Sequence, residues 1–214
     1  SPLTEARVFD LTKQRIGTYL RGTYAQSGLA KKADETSSGD STVFSESVST
    51  ATSGEFGIYF AAQNIGFRIS AELYQPDKMK EIKGKDSGGT DLLELSSGVS
   101  VQIYKVGFEY SWFLSPGSKV YAIVSAGQAT VNLTNEYSNI SGYAVSDFTE
   151  KSTESLVMGE IQLGYEYNFS ADTTVLIDLG YRQLQANSLK YSSAATTFLG
   201  SVSEGEAVLN SDGT

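Results

Sequence analysis

Between Phe56 and Leu73 apolar residues recur at every second position: Phe56, Ile58, Phe60 and Ala62 in one run, then Phe67, Ile69, Ala71 and Leu73 in the next. The opposite parity carries Gly57, Tyr59, Arg68, Ser70 and Glu72. Strict period-two alternation predicts β-strands with one oily and one polar face. Gln63-Asn64-Ile65-Gly66 leaves room between the two runs only for a tight reversal. The same pattern predicts seven strands in one series: Arg15 to Gln26, Glu55 to Gln63, Gly66 to Gln75, Val99 to Leu114, Lys119 to Leu133, Leu156 to Phe169 and Thr173 to Tyr191. Alternation is clear in all but the fifth, where both parities are apolar or small.

The connections fall into two classes that alternate along the chain. Short reversals are predicted at Gln63 to Gly66, at Ser115-Pro116-Gly117-Ser118 and at Ser170-Ala171-Asp172. The others, Leu29 to Gly54, Pro76 to Gly98 and Thr134 to Ser155, are long and polar. In an up-and-down antiparallel sheet this places every short turn at one end and every long loop at the other. No linker divides the series, so residues 1–214 are expected to form a single domain.

Composition narrows the classes further. Thirteen Tyr, ten Phe and twenty-one Gly with three Pro suit strands joined by permissive turns. No apolar run approaches the roughly 18 residues of a spanning helix. A spanning β-strand needs only about 10 alternating residues, so a membrane barrel stays open. A formal charge of −9 argues against nucleic acid as a partner, because phosphate binding needs a basic field. Cys and His are both absent, which removes disulfides, thiolate chemistry and imidazole catalysis.

The charges of the non-oily parity balance in sign: Arg15, Arg21, Arg68, Lys105 and Arg182 against Glu72, Glu109, Glu160, Glu166 and Asp178. On a soluble surface they have no need to balance. Enclosed in a narrow barrel they must pair with one another, because an unpaired buried charge is costly. Tyr110, Trp112, Tyr121, Tyr165, Tyr167 and Phe169 cluster where strands approach the short turns, as an interfacial aromatic girdle does. Asp86 and Asp91 in "KDSGGTD" lack the ligand run of a calcium loop, so no metal site and no cofactor are expected.

In strand pattern and connection polarity, from Arg15 to about Tyr191, the chain resembles the small bacterial outer-membrane β-barrels represented by the OmpA membrane domain, OmpX and OmpW. The resemblance implies an all-β, up-and-down transmembrane barrel of eight strands in the outer membrane of a Gram-negative bacterium, exported with a cleaved signal and surrounded by lipid and lipopolysaccharide. Residues 1–14 become an N-terminal periplasmic segment, and the long loops become extracellular. An eight-stranded barrel is just wide enough to be filled by its own side chains, so a plugged interior is expected rather than a pore. The enzymes among such barrels use a His, which this chain lacks, so a non-enzymatic structural or surface-interaction role is expected.

Seven strands leave two open edges, which lipid does not tolerate. Residues 192–214 give a fourth long loop, with Glu206 to Asn210 as the start of a returning strand, so the closing strand is expected beyond Thr214. Two other readings stand beside this one: a soluble lipocalin-like barrel holding a small apolar ligand, with the two faces reversed, and an outer-membrane barrel that passes small hydrophobic molecules.

Overall fold

The computed structural model describes residues 10–26, 36–37, 40–43, 50–76, 79–85, 88–170, 173–184, 188–198 and 200–208. They form an all-β fold of thirteen strands: β1 (Arg15–Gln26), β2 (Thr36–Ser37), β3 (Asp40–Val43), β4 (Thr50–Ala62), β5 (Ile65–Pro76), β6 (Met79–Lys85), β7 (Asp91–Ser115), β8 (Ser118–Ser138), β9 (Phe148–Asn168), β10 (Thr174–Gln183), β11 (Lys190–Tyr191), β12 (Ala195–Thr197) and β13 (Gly200–Val202). Seven of them make one antiparallel up-and-down sheet in the order β1-β4-β5-β7-β8-β9-β10. The sheet curls into a half-barrel.

Alternation sets the two faces. In β7, from Val101 to Trp112, buried and exposed residues alternate without a break, and β9 does the same from Met158 to Asn168. A slip of one residue would carry every charge of a strand to the other face, so this patterning fixes the register. It also settles the fifth predicted strand, now β8. Lys119, Tyr121, Ile123 and Ser125 point inward, and Val120 and Val124 outward.

Two of the short turns are pinned by hydrogen bonds to neighbouring segments. Gln63 takes the left-handed φ of 54° that two-residue hairpin loops need at their first central position. Beside it the Asn64 side-chain amide donates to the Ser111 carbonyl at 2.6 Å, and the Ser111 amide donates to the Asn64 carbonyl at 2.8 Å. At the Pro116-Gly117 turn the Leu11 amide donates to the Pro116 carbonyl at 2.8 Å, which draws Leu11, fully buried, across this end of the sheet.

The long connections are shorter than the sequence suggests. β7, β8 and β9 run 25, 21 and 21 residues, well past the oily alternation, and leave only 139–147 between β8 and β9. The ladders continue into these segments, where each backbone group finds a partner. β6 pairs with the start of β7 and carries β3 and β2 beyond it. The predicted last strand is also corrected: β10 ends at Gln183, and β11 pairs instead with Ser152 and Thr153 of β9. Within the predicted start of a returning strand, Ala207 bridges Lys190 antiparallel. Asn210, Asp86, Leu29, Ala171, Asp172 and residues 1–9 lie outside the described residues.

Two glycines make room for interior rings. A Cβ on Gly57 would lie 2.4 Å from the Tyr19 ring, and one on Gly164 the same distance from the ring of Tyr121. Gly164→Val is therefore expected to lower the unfolding free energy by about 1–3 kcal/mol through overpacking. Gly159→Ala, which meets nothing within 4 Å, is expected to leave it unchanged. Urea-unfolding midpoints of the two variants check this.

Candidate functional site

All ten charged residues of the polar parity point into the hollow of the sheet, where two more join them: Glu55 of β4 and Lys119 of β8. The addition of one carboxylate and one ammonium leaves the signs balanced. Lys105 is the hub. Its Nζ lies 3.1 Å from Glu55, 2.9 Å from Glu72 and 2.8 Å from Glu160, carboxylates supplied by three different strands. Glu55 and Glu72 are direct cross-strand partners. Like charges so placed repel, and the shared ammonium between them offsets this.

Arg182 of β10 closes the same cluster from the far side. Its Nη1 donates to Glu72 at 2.9 Å, and its Nη2 to Glu72 at 2.6 Å and to Glu160 at 2.9 Å. Arg21 joins Glu55 at 3.0 Å to Asp178 at 3.3 Å, so a β1 side chain reaches β10. Tyr19 donates to Glu55 at 2.6 Å and Tyr121 to Asp178 at 3.1 Å.

A second cluster lies nearer the short turns. Arg15 grips Glu166 with two nitrogens at 2.9 and 3.2 Å, and Arg68 holds Glu109 with Nε at 2.9 Å and Nη2 at 2.5 Å. Lys119, almost wholly buried, bonds to Glu109 and lies 3.1 Å from Glu166. The Arg68 guanidinium stacks over both Tyr19 and Tyr121, its carbon 5.2 and 5.0 Å from the ring centroids, and so ties the two clusters together.

Above the charges, toward the long connections, the interior turns apolar. Val101, Ile103, Ala129 and Met158 form a buried layer backed by Tyr74, Leu156 and Leu184. Higher still, outside the curled sheet proper, Phe198 packs among Tyr137, Tyr143 and Phe148 with ring centroids 5.1–5.4 Å apart, and so fastens the β12–β13 hairpin to the extended strands.

The six predicted girdle residues divide. Tyr110, Trp112, Tyr165, Tyr167 and Phe169 are exposed on the outward face near the short turns. Tyr121 is fully buried instead, with its hydroxyl on Asp178. Its parity matches Lys119, and proximity to a turn says nothing about which way a strand residue points. Lys119 and Glu55 escaped the sequence reading because each sits at a predicted strand end, Lys119 in the strand of ambiguous parity. The offset from the Ser115–Ser118 reversal is the signal that could have placed Lys119. Asp91 opens β7 as an exposed residue, and no group of three or more carboxylates among the described residues is arranged to hold a metal ion.

Chemically, the lattice is self-contained: its carboxylates are occupied by cations that the neighbouring strands supply. Comparison with family models, curated proteins and solved structures finds no match for the chain.

Lys105→Met leaves the buried carboxylates of Glu55, Glu72 and Glu160 one cation short and is expected to cost about 3–5 kcal/mol. Adding Glu72→Gln to that variant is expected to recover part of the loss, because it restores the balance of charge. Denaturant unfolding of the single and double variants measures both.

Proposed function

We propose that this chain is an outer-membrane β-barrel protein of a Gram-negative bacterium, with a polar interior plugged by its own side chains, that acts as a structural or surface-interaction protein through its long connections. The observation that carries the reading is the facing of the sheet. Ile16, Leu20, Ile58, Phe67, Ile69, Val106, Ile161, Leu163, Ile177 and Leu179 all lie exposed on the outward side, Leu179 at 83% and Val157 at 84%. Soluble monomers rarely expose contiguous apolar patches beyond a few hundred Å², whereas this face is apolar on every strand of the curled sheet. Inward, the same strands bury arginine, lysine and glutamate.

Further support comes from the ends. The exposed aromatics Trp112, Tyr165 and Tyr167 collect near the short turns, where amphipathic rings sit at a lipid–water boundary. At the other end the strands run on into polar, Ser/Thr-rich extensions suited to water and to contact with another surface. A soluble barrel for an apolar ligand needs the opposite facing. The apolar layer of Val101, Ile103 and Met158 above the charges is the one feature that favours passage or capture of a small hydrophobic molecule.

The test is solubility and heat-modifiable mobility. Refolded protein is expected to stay monodisperse only with detergent or lipid, and to migrate on a denaturing gel at a different position before and after boiling. A chain that is monomeric and folded in plain buffer contradicts the proposal.

A further inference from the structure

Above the charge lattice, β11 and the β12–β13 hairpin fold into a unit of their own. Within it the Tyr191 amide donates to the Glu206 carbonyl at 2.9 Å, the Gly205 amide to the Tyr191 carbonyl at 2.8 Å and the Val208 amide to the Leu189 carbonyl at 2.9 Å. β12 and β13 pair with each other, and Thr197 Oγ1 donates to the Gly200 carbonyl at 3.1 Å. Attachment to the sheet is slighter. Among the described residues β11 pairs with β9 at two positions, the Ser192 amide donates to the Lys151 carbonyl at 2.8 Å, and the Ser188 amide donates to the Glu154 carboxylate at 3.0 Å. A segment bonded more to itself than to its neighbours opens as one piece, at lower cost than the sheet it rests on.

The unit lies on the inward face. Tyr137 and Phe148 are cross-strand partners with the parity of Ala129 and Met158, so their rings continue the hollow above the apolar layer. Phe198 packs on both rings. Tyr191 and Thr197 are buried, as is Ser152 opposite Tyr191.

The seat of the unit holds a carboxyl with no cation. Glu150 of β9 shares the parity of Phe148 and lies opposite Asn135 of β8, and the side chains of Asn135 and Tyr137 donate to it. The titratable groups that face it are Tyr137 and, from β11, Tyr191, on which Glu206 acts in turn. Among the described residues no lysine or arginine acts on Glu150, Tyr137 or Tyr191. Every carboxylate of the lattice below, by contrast, meets a lysine or an arginine.

We propose that β11 and the β12–β13 hairpin form a proton-controlled lid on the long-connection end of the hollow, latched by Phe198 and seated on a neutral Glu150, and that the lid loosens when Glu150 ionises. Burial raises the Glu150 carboxyl above its ordinary value. The closed lid therefore favours the protonated form, and closure is strongest below about pH 4 and weakens as pH rises through the raised value. An ionised Glu150 under the lid is stripped of water with no cation to offset the loss, and opening returns it to water. The lid works in the same way whether or not the outward face meets lipid.

The Ser192 amide spans the junction between lid and sheet, so its hydrogen-exchange protection factor, read by NMR, reports opening. In the folded 214-residue chain this protection is expected to fall several-fold between about pH 4 and about pH 7.5, while the sheet amides of Val106 and Ile161 keep theirs. Glu150→Gln is expected to retain protection of Ser192 at the upper pH, and Glu206→Gln to leave the fall in place. Phe198→Ala is expected to lower protection of Ser192 at both pH values. The chain has no cysteine, so Thr153→Cys with Lys190→Cys, direct cross-strand partners, pins the lid by a disulfide. Oxidised, that variant is expected to show no fall, and reduced, to regain it. Protection of Ser192 that is indifferent to pH, a fall that persists in Glu150→Gln or in the oxidised pair, a fall abolished by Glu206→Gln, a fall shared by the sheet amides, or an unaffected Phe198→Ala overturns the proposal.

Discussion

Six cations and six carboxylates share the hollow of one curled sheet, and the need to neutralise them governs the rest of the structure. Each buried charge costs several kcal/mol of lost hydration unless it is paired and hydrogen-bonded. Lys105, shared by three carboxylates, and Arg182, shared by two, show how that cost is offset. Because those carboxylates come from β4, β5 and β9, the lattice ties together strands far apart in the sheet. Curvature and charge therefore support each other: a flat sheet would separate Arg182 from Glu72, and an uncharged hollow would give the sheet no polar reason to curl.

The outward face follows from the same constraint. Once one parity of every strand is committed to the lattice, the other is free to be apolar throughout. Large apolar residues recur there in β1, β4, β5, β7, β9 and β10. A face of that kind calls for a non-aqueous neighbour, the basis for proposing a bilayer. The interior is layered along the strands as well, with charges near the short turns and an apolar layer above them. Among the described residues β1 and β10 each pair on one side only, and two buried donors without a hydrogen-bond partner, Arg21 Nη2 and Arg68 Nη1, line the space beside them.

Much of this was legible in the sequence because a two-residue period leaves little ambiguity. The opening hairpin assigned Arg68 and Glu72 to one face and Phe67, Ile69 and Leu73 to the other, and the structure keeps that division. What could not be read were features carried by partners. Lys119 and Tyr121 sit in β8, whose inner face mixes Ile123 with Ser125 and whose outer face is also apolar, so alternation alone assigns no side. The pairing of Lys105 with three carboxylates depends on cross-strand register and curvature, neither of which a single strand encodes. The extensions of β7, β8 and β9 were missed because their residues, mostly half-buried, show no two-residue alternation while keeping their ladder.

The central claim is that the outward parity meets lipid, and the single tryptophan of the chain tests it directly, since Trp112 lies on that face near a short turn. Fluorescence of the protein refolded into phosphatidylcholine vesicles should be quenched strongly when brominated acyl chains replace ordinary ones, and only weakly by aqueous acrylamide. Quenching by acrylamide with indifference to brominated lipid would contradict the account.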